Sequence, residues 1–130
     1  MSSRPSIAPL ADAIKKCVPM ISVPDVAATL AWYASIGFQE LNRFEEDGVV
    51  NFGMLSFGKA ELMLRQGEKP GTLIMSLWLY NDRVDDLYRL LKEGEGIEFV
   101  EEIYDPFYGG RQFGIRDLNG YHLYFLQPAA

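Results

Sequence analysis

The chain has 130 residues, 48% hydrophobic and 23% charged, which is one ordinary globular domain long enough to bury a core. Eighteen acidic against twelve basic side chains give a net charge of -6, which disfavours nonspecific binding to nucleic acid or anionic lipid and favours cationic ligands. A single cysteine excludes an internal disulfide and a multi-thiolate zinc site.

In chain order, residues 1–16 read as an N-terminal arm, helical from about Ile7 to Lys15. The arm lacks the continuous apolar stretch of a secretory signal, and no run approaches the roughly 18 apolar residues that span a bilayer. Cys17 reads as a small core residue, and a cytoplasmic location is the expectation. Val18 to Val23 is a short strand. Asp25 is placed to cap a helix carrying Val26, Leu30 and Tyr33, which Gly37 stops. Phe38 to Phe44 is a strand, Glu45 to Gly48 a turn, and Val49 to Ser56 and Ala60 to Arg65 are two strands joined around Gly58.

Gln66 to Gly71 is polar and rich in Gly and Pro, so it reads as an internal linker. The order then repeats. Leu73 to Tyr80 is a strand, and Asn81 and Asp82 are cap candidates. Val84, Leu87, Tyr88 and Leu91 form a helical stripe closed by Gly94 and Gly96. Ile97 to Tyr104 is a strand and Asp105 to Gly110 a loop. Arg111 to Arg116 and Tyr121 to Leu126 are strands joined around Asn119-Gly120. The expected organisation is an arm at 1–16, a first βαβββ module at 17–66, a linker at 67–72 and a second βαβββ module at 73–130. The expected fold is α+β, a curved, antiparallel-rich mixed sheet with helices on its outer face.

The repeat is visible in the letters. Phe52 to Leu64 aligns without gaps on Phe113 to Phe125, setting Gly53 on Gly114 and Met63 on Tyr124. A site in such a duplicated chain is expected where the copies meet.

Side chains alternate across a strand, so each strand sorts its residues into two sets. One set is apolar: Ile21 and Val23, Leu62 and Leu64, Leu77 and Leu79, Leu123 and Phe125. Each such chain stabilises by roughly 1.5–3 kcal/mol when buried. The other set is mixed: Met20 and Ser22; Glu61, Met63 and Arg65; Ser76, Trp78 and Tyr80; His122 and Tyr124. Aromatic rings with a few polar heads suit a concave ligand surface. A solvated sheet face or a dimer interface is the alternative.

The start Val18-Pro-Met-Ile-Ser-Val-Pro-Asp-Val26, the helix end Trp32-Tyr33-Ala-Ser-Ile-Gly-Phe38 and the duplicated βαβββ order resemble the vicinal oxygen chelate superfamily. That group includes lactoylglutathione lyases, ring-cleaving dioxygenases, fosfomycin-resistance enzymes and bleomycin-resistance proteins. The resemblance covers residues 17 to 127. It is strongest at Tyr108-Gly-Gly-Arg-Gln-Phe-Gly-Ile-Arg-Asp117 with Asn119-Gly120, which looks like the bleomycin-resistance branch. Leu118 stands where that branch has proline, and Tyr108 where tryptophan is more typical.

The resemblance implies a metal site drawn from the first and fourth strand of each half, here at Val18, Met63, Ile74 and Tyr124. None of these offers the imidazole or carboxylate that a divalent ion wants, so no metal and no cofactor is expected. Glu61 and His122 stand two residues before Met63 and Tyr124 and form a candidate acid–base pair, with Tyr124 as a third candidate. Arg111 is either a carboxylate or phosphate contact or an ion pair near Asp117. The ligand-binding candidates are Glu61, Met63, Trp78, Tyr80, Phe107, Tyr108, Arg111, His122 and Tyr124. By resemblance, the expected function is metal-independent sequestration of a cationic aromatic small molecule in a homodimer crevice, as in antibiotic resistance. The alternative is a glyoxalase-like lyase, isomerase or dioxygenase using acid–base residues or an unrecognised metal site. Neither nucleic acid nor membrane is an expected partner.

Overall fold

A computed structural model describes residues 7–68, 71 and 75–130. The arm holds a 3-10 helix, Ala8–Ala13, shorter than the helix expected from Ile7 to Lys15, and buries no residue. Pro9 lies in its first turn, where a missing N–H costs nothing.

The first module runs β1 (Met20–Val23), α1 (Val26–Ser35), β2 (Gln39–Glu46), β3 (Val49–Phe57) and β4 (Ala60–Gln66). The second runs β5 (Ser76–Tyr80), α2 (Val84–Glu93), β6 (Glu98–Tyr104), β7 (Arg111–Arg116) and β8 (His122–Gln127). The α+β class and the doubled βαβββ order are those expected from sequence. The strand order is β1-β4-β3-β2 in one sheet and β5-β8-β7-β6 in the other, so the ladders form two four-stranded mixed sheets. Within each, the first strand runs parallel to the last and the other pairs are antiparallel. Leu73, Ile74 and much of the linker lie outside the described residues. Among the described residues no helix is long and apolar enough to cross a membrane.

Local chemistry sets the element ends. Asp25 caps α1 by accepting from the Ala28 N–H at 2.9 Å, and Gly37 leaves the helix at φ 106°. The β2–β3 turn is tighter than the expected Glu45–Gly48. Glu46 pairs with Val49, and Asp47 and Gly48 both take positive φ, the backbone a two-residue hairpin needs. Neither Asn81 nor Asp82 caps α2. Its first residue, Val84, donates instead to the Gln127 side chain at 3.1 Å, while Asn81 accepts from the Arg83 N–H.

The apolar set packs beneath the helices as its alternation requires. Ile21, Val23, Leu62, Leu64, Leu123 and Phe125 are buried with Leu30 and Tyr33 of α1 and Val84 and Leu91 of α2. Leu77 and Leu79 of β5 stay partly exposed because they line an open pocket.

The register corrects the ungapped repeat. Phe57 pairs with Ala60 across the two-residue turn Gly58–Lys59. The matching pair in the second module is Asp117 and Tyr121, joined by a 2.7 Å backbone bond across three residues. With β4 laid on β8, that extra residue displaces β3 by one position against β7. Met63 therefore faces Met54, whereas Tyr124 faces Gly114. Gly53 and Gly114 coincide in the letters but open opposite faces. A β-carbon at Gly53 would strike Leu30 of α1, and one at Gly114 would strike Tyr124.

The modules are pinned where this longer turn meets α1. The Tyr33 hydroxyl donates to Asp117 Oδ2 at 2.6 Å, Asn119 Nδ2 donates to Thr29 Oγ1 at 3.0 Å, and the Tyr121 hydroxyl donates to the Ser22 carbonyl at 3.0 Å. Asp117 Oδ1 accepts from the Asn119 and Tyr121 N–H groups. Burial pushes both the Tyr33 phenol and the Asp117 carboxyl upward; for Tyr33 the neighbouring Asp117 charge adds to the effect.

Candidate functional site

The face of the second sheet turned away from α2 is organised in three cross-strand rows. They are Ser76–His122–Arg116–Glu98, Trp78–Tyr124–Gly114–Glu101 and Tyr80–Leu126–Gln112–Tyr104. In the middle row Trp78 stacks on Tyr124 with centroids 4.6 Å apart and planes 23° from parallel. The stack fits because Gly114 removes the side chain that would stand under the Tyr124 ring.

Polar groups ring this aromatic shelf. Gln112 is buried, donates to Glu101 Oε1 at 2.8 Å and to the Tyr104 hydroxyl at 3.2 Å, and accepts from the Tyr108 hydroxyl. Tyr104 donates to Glu101 Oε2 at 3.2 Å. His122 Nδ1 lies 3.1 Å from the Tyr124 hydroxyl, and its Nε2 lies 3.5 Å from Arg116, which is paired with Glu98. Desolvation and the Glu101 charge hold the Tyr104 phenol up at about 12 and also raise Tyr124. Both phenols therefore stay protonated, and able to donate hydrogen bonds, to higher pH than a free tyrosine.

Of the residues singled out from sequence, Trp78, Tyr80, Tyr108, His122 and Tyr124 come together here. Phe107 is fully exposed in the β6–β7 loop, edge-on to Tyr108 with centroids 5.2 Å apart. Arg111 lies elsewhere. It sits on the helix side of β7 and bonds Asp85 at 2.8 Å and Asp105 at 2.9 Å. Its ion pairs are thus at the opposite end of β7 from the Asp117 that sequence suggested. Glu61 and Met63 belong to the first sheet, where Met20, Met63 and Met54 form an in-register row. Glu61 is paired with Lys16 of the arm at 2.7 Å, and among the described residues no hydrogen bond or ion pair joins it to His122.

Glu101, Tyr104 and Gln112 were not among the residues expected from sequence. Register shifts on either side of Glu101 put Glu101 and Tyr104 on one face at a spacing of three, which simple alternation sends to opposite faces. The available signal was the polar Gln112 directly before Phe113 in a strand of the second module, since a polar side chain needs partners when buried.

A divalent metal does not fit these residues. Val18 and Met63 offer no hard donor, and Ile74 lies outside the described residues. Tyr124 would have to ionise against both burial and a neighbouring carboxylate. Among the described residues no three His, Cys, Asp or Glu side chains cluster closely enough to hold an ion.

These features define a duplicated βαβββ domain whose second sheet presents an aromatic and acidic face. The chain belongs to the Glyoxalase/Bleomycin resistance protein/Dioxygenase superfamily, which it matches over residues 13–125. Its fold is similar to that of TioX from Micromonospora sp. ML1, with 22% identity, a TM-score of 0.74, and coverage of 88% of this chain and 98% of that one. It is also similar to a bleomycin-binding protein solved in complex with bleomycin, with 22% identity, a TM-score of 0.66 and coverage of 88% and 98%. A glyoxalase-related enzyme from Clostridium phytofermentans has 18% identity, a TM-score of 0.74 and coverage of 88% and 95%. No curated protein sequence is significantly similar to this chain.

Proposed function

We propose that this protein is a metal-independent binding protein that sequesters a cationic aromatic small molecule against the second sheet. The carrying observation is the Trp78–Tyr124 stack with the Glu101 carboxylate in the same cross-strand row. Flat rings stack on such a shelf, and a cation gains from both the ring faces and the carboxylate. The shelf is open: Trp78, Tyr80, Tyr108 and Phe107 are all exposed on one chain. A homodimer in which a second copy lays its Met20–Met63–Met54 row opposite the shelf would close a crevice with an adaptable apolar wall. Cys17 is exposed and not the small core residue expected from sequence, and its free thiol accords with a cytoplasmic location. Antibiotic resistance is the use that the bleomycin-bound relative suggests.

A thermal-shift screen of bleomycin, simple aromatic cations and divalent metals tests this reading. Bleomycin or an aromatic cation raises the melting temperature with concentration, and Glu101→Gln diminishes the rise. A flat response to every cationic aromatic sinks the reading.

The His122–Tyr124 hydrogen bond favours one second reading, a metal-independent isomerase or lyase using these two groups as acid and base, without the Glu61 that sequence paired with them. Under it His122→Gln abolishes turnover; under the binding reading the same change only weakens binding to the shelf.

A further inference from the structure

A pocket of about 220 Å³ opens at the seam between the modules, where the arm, the β3–β4 turn and edge strand β5 converge. Trp78 and Glu61 of the half-exposed faces reach its wall, but its floor comes from the other set: Phe38, Leu62, Leu77 and Leu79. The pocket is open to solvent at its rim, and its volume exceeds the roughly 150 Å³ at which an enclosed apolar cavity already accepts benzene. The volume therefore suits one substituted ring.

The rim decides the charge. Lys16, Lys59 and Glu61 line the pocket. Lys16 and Glu61 neutralise each other at 2.7 Å, and among the described residues Lys59 has no ion-pair partner. A chain of net charge -6 thus presents one uncompensated cation at the mouth of an apolar pocket. That preference is opposite in sign to the Glu101 shelf.

We propose that this seam pocket is a second binding site, for a small monoanion bearing one aromatic ring, with the ring on the apolar floor and the carboxylate at Lys59. An ion pair with this exposed lysine is worth up to about fivefold in affinity. Bound there, the ligand also covers Cys17, which lines the same pocket and is exposed without it.

Calorimetric titration of the full chain with phenylacetate, benzyl alcohol and benzylamine tests the proposal. Phenylacetate binds one per chain, benzyl alcohol up to about fivefold more weakly, and benzylamine more weakly still. Lys59→Glu, a change in an exposed turn, removes the preference for phenylacetate without altering benzyl alcohol binding. Saturating phenylacetate slows alkylation of Cys17 by iodoacetamide. Glu101→Gln leaves all of this unchanged, so failure here is separable from failure of the shelf. Absence of phenylacetate binding, equal binding of the three probes, insensitivity to Lys59→Glu, or an unprotected Cys17 (as when a second copy already fills the pocket) each overturns the proposal.

Discussion

A β-carbon added at Gly114 would stand 2.7 Å from two carbons of the Tyr124 ring, closer than any real side chain tolerates. Gly114 has an ordinary backbone conformation, so its role is space and not a turn. Gly114→Ala must therefore displace the Tyr124 ring and disturb its stack on Trp78. The expected cost is about 1–3 kcal/mol of stability from overpacking. Loss of affinity for aromatic cations should accompany it, read by denaturant unfolding and by titration of the same sample.

The Tyr33–Asp117 bond predicts a larger penalty than its single hydroxyl suggests. Tyr33→Phe leaves Asp117 Oδ2 without its donor in a buried site. A lost hydrogen bond to a charged group costs about 1.5–3 kcal/mol. For a chain of this length that lowers the melting temperature by about 5–10 °C, measurable by calorimetry. An unchanged melting temperature would show that the turn is held by its backbone bonds alone.

Alkaline pH should destabilise the fold through its phenols. Tyr104 is held up at about 12, and Tyr33, Tyr88, Tyr121 and Tyr124 are also raised from 10.0. Between about pH 10 and 12 the unfolded chain releases protons that the folded chain keeps, so stability falls as pH rises through that window. An ultraviolet phenolate titration should show a delayed fraction that collapses onto ordinary behaviour in denaturant.

Metal addition should leave the protein unchanged. Zinc, nickel, manganese or iron supplied to chelator-treated protein is expected to leave the melting temperature where it was, because the strand positions present thioether and phenol, not imidazole and carboxylate. Stoichiometric metal found by elemental analysis after purification without chelator would reverse this conclusion.

Much of the architecture was legible because it depends on short-range periodicity. The alternation Leu62, Leu64 and Leu123, Phe125 identifies the core face whatever the strand's partners, and Asp25 announces the start of α1 by chemistry confined to one turn. The single-residue slip between β3 and β7 was not legible. Gly53 and Gly114 align perfectly in sequence, and only the cross-strand pairing reveals that one turn holds two residues and the other three. Arg111 could be read as ion-paired, but its partners Asp85 and Asp105 come from α2 and the β6–β7 loop.

The chain's own order of residues determined two βαβββ units, the sorting of β1, β4, β5 and β8 into an apolar and a mixed face, and the poverty of metal donors on the latter. Those properties follow from side-chain type and a two-residue period, which need no knowledge of neighbours. Tertiary structure decided which half-exposed groups act together. Glu101 and Tyr104 join Gln112 through β6 irregularities, Tyr124 lies flat over Gly114, and Glu61 turns to Lys16 and not to His122. Register shifts, turn lengths and the docking of the arm set those meetings, and each is fixed by packing between segments far apart in the chain.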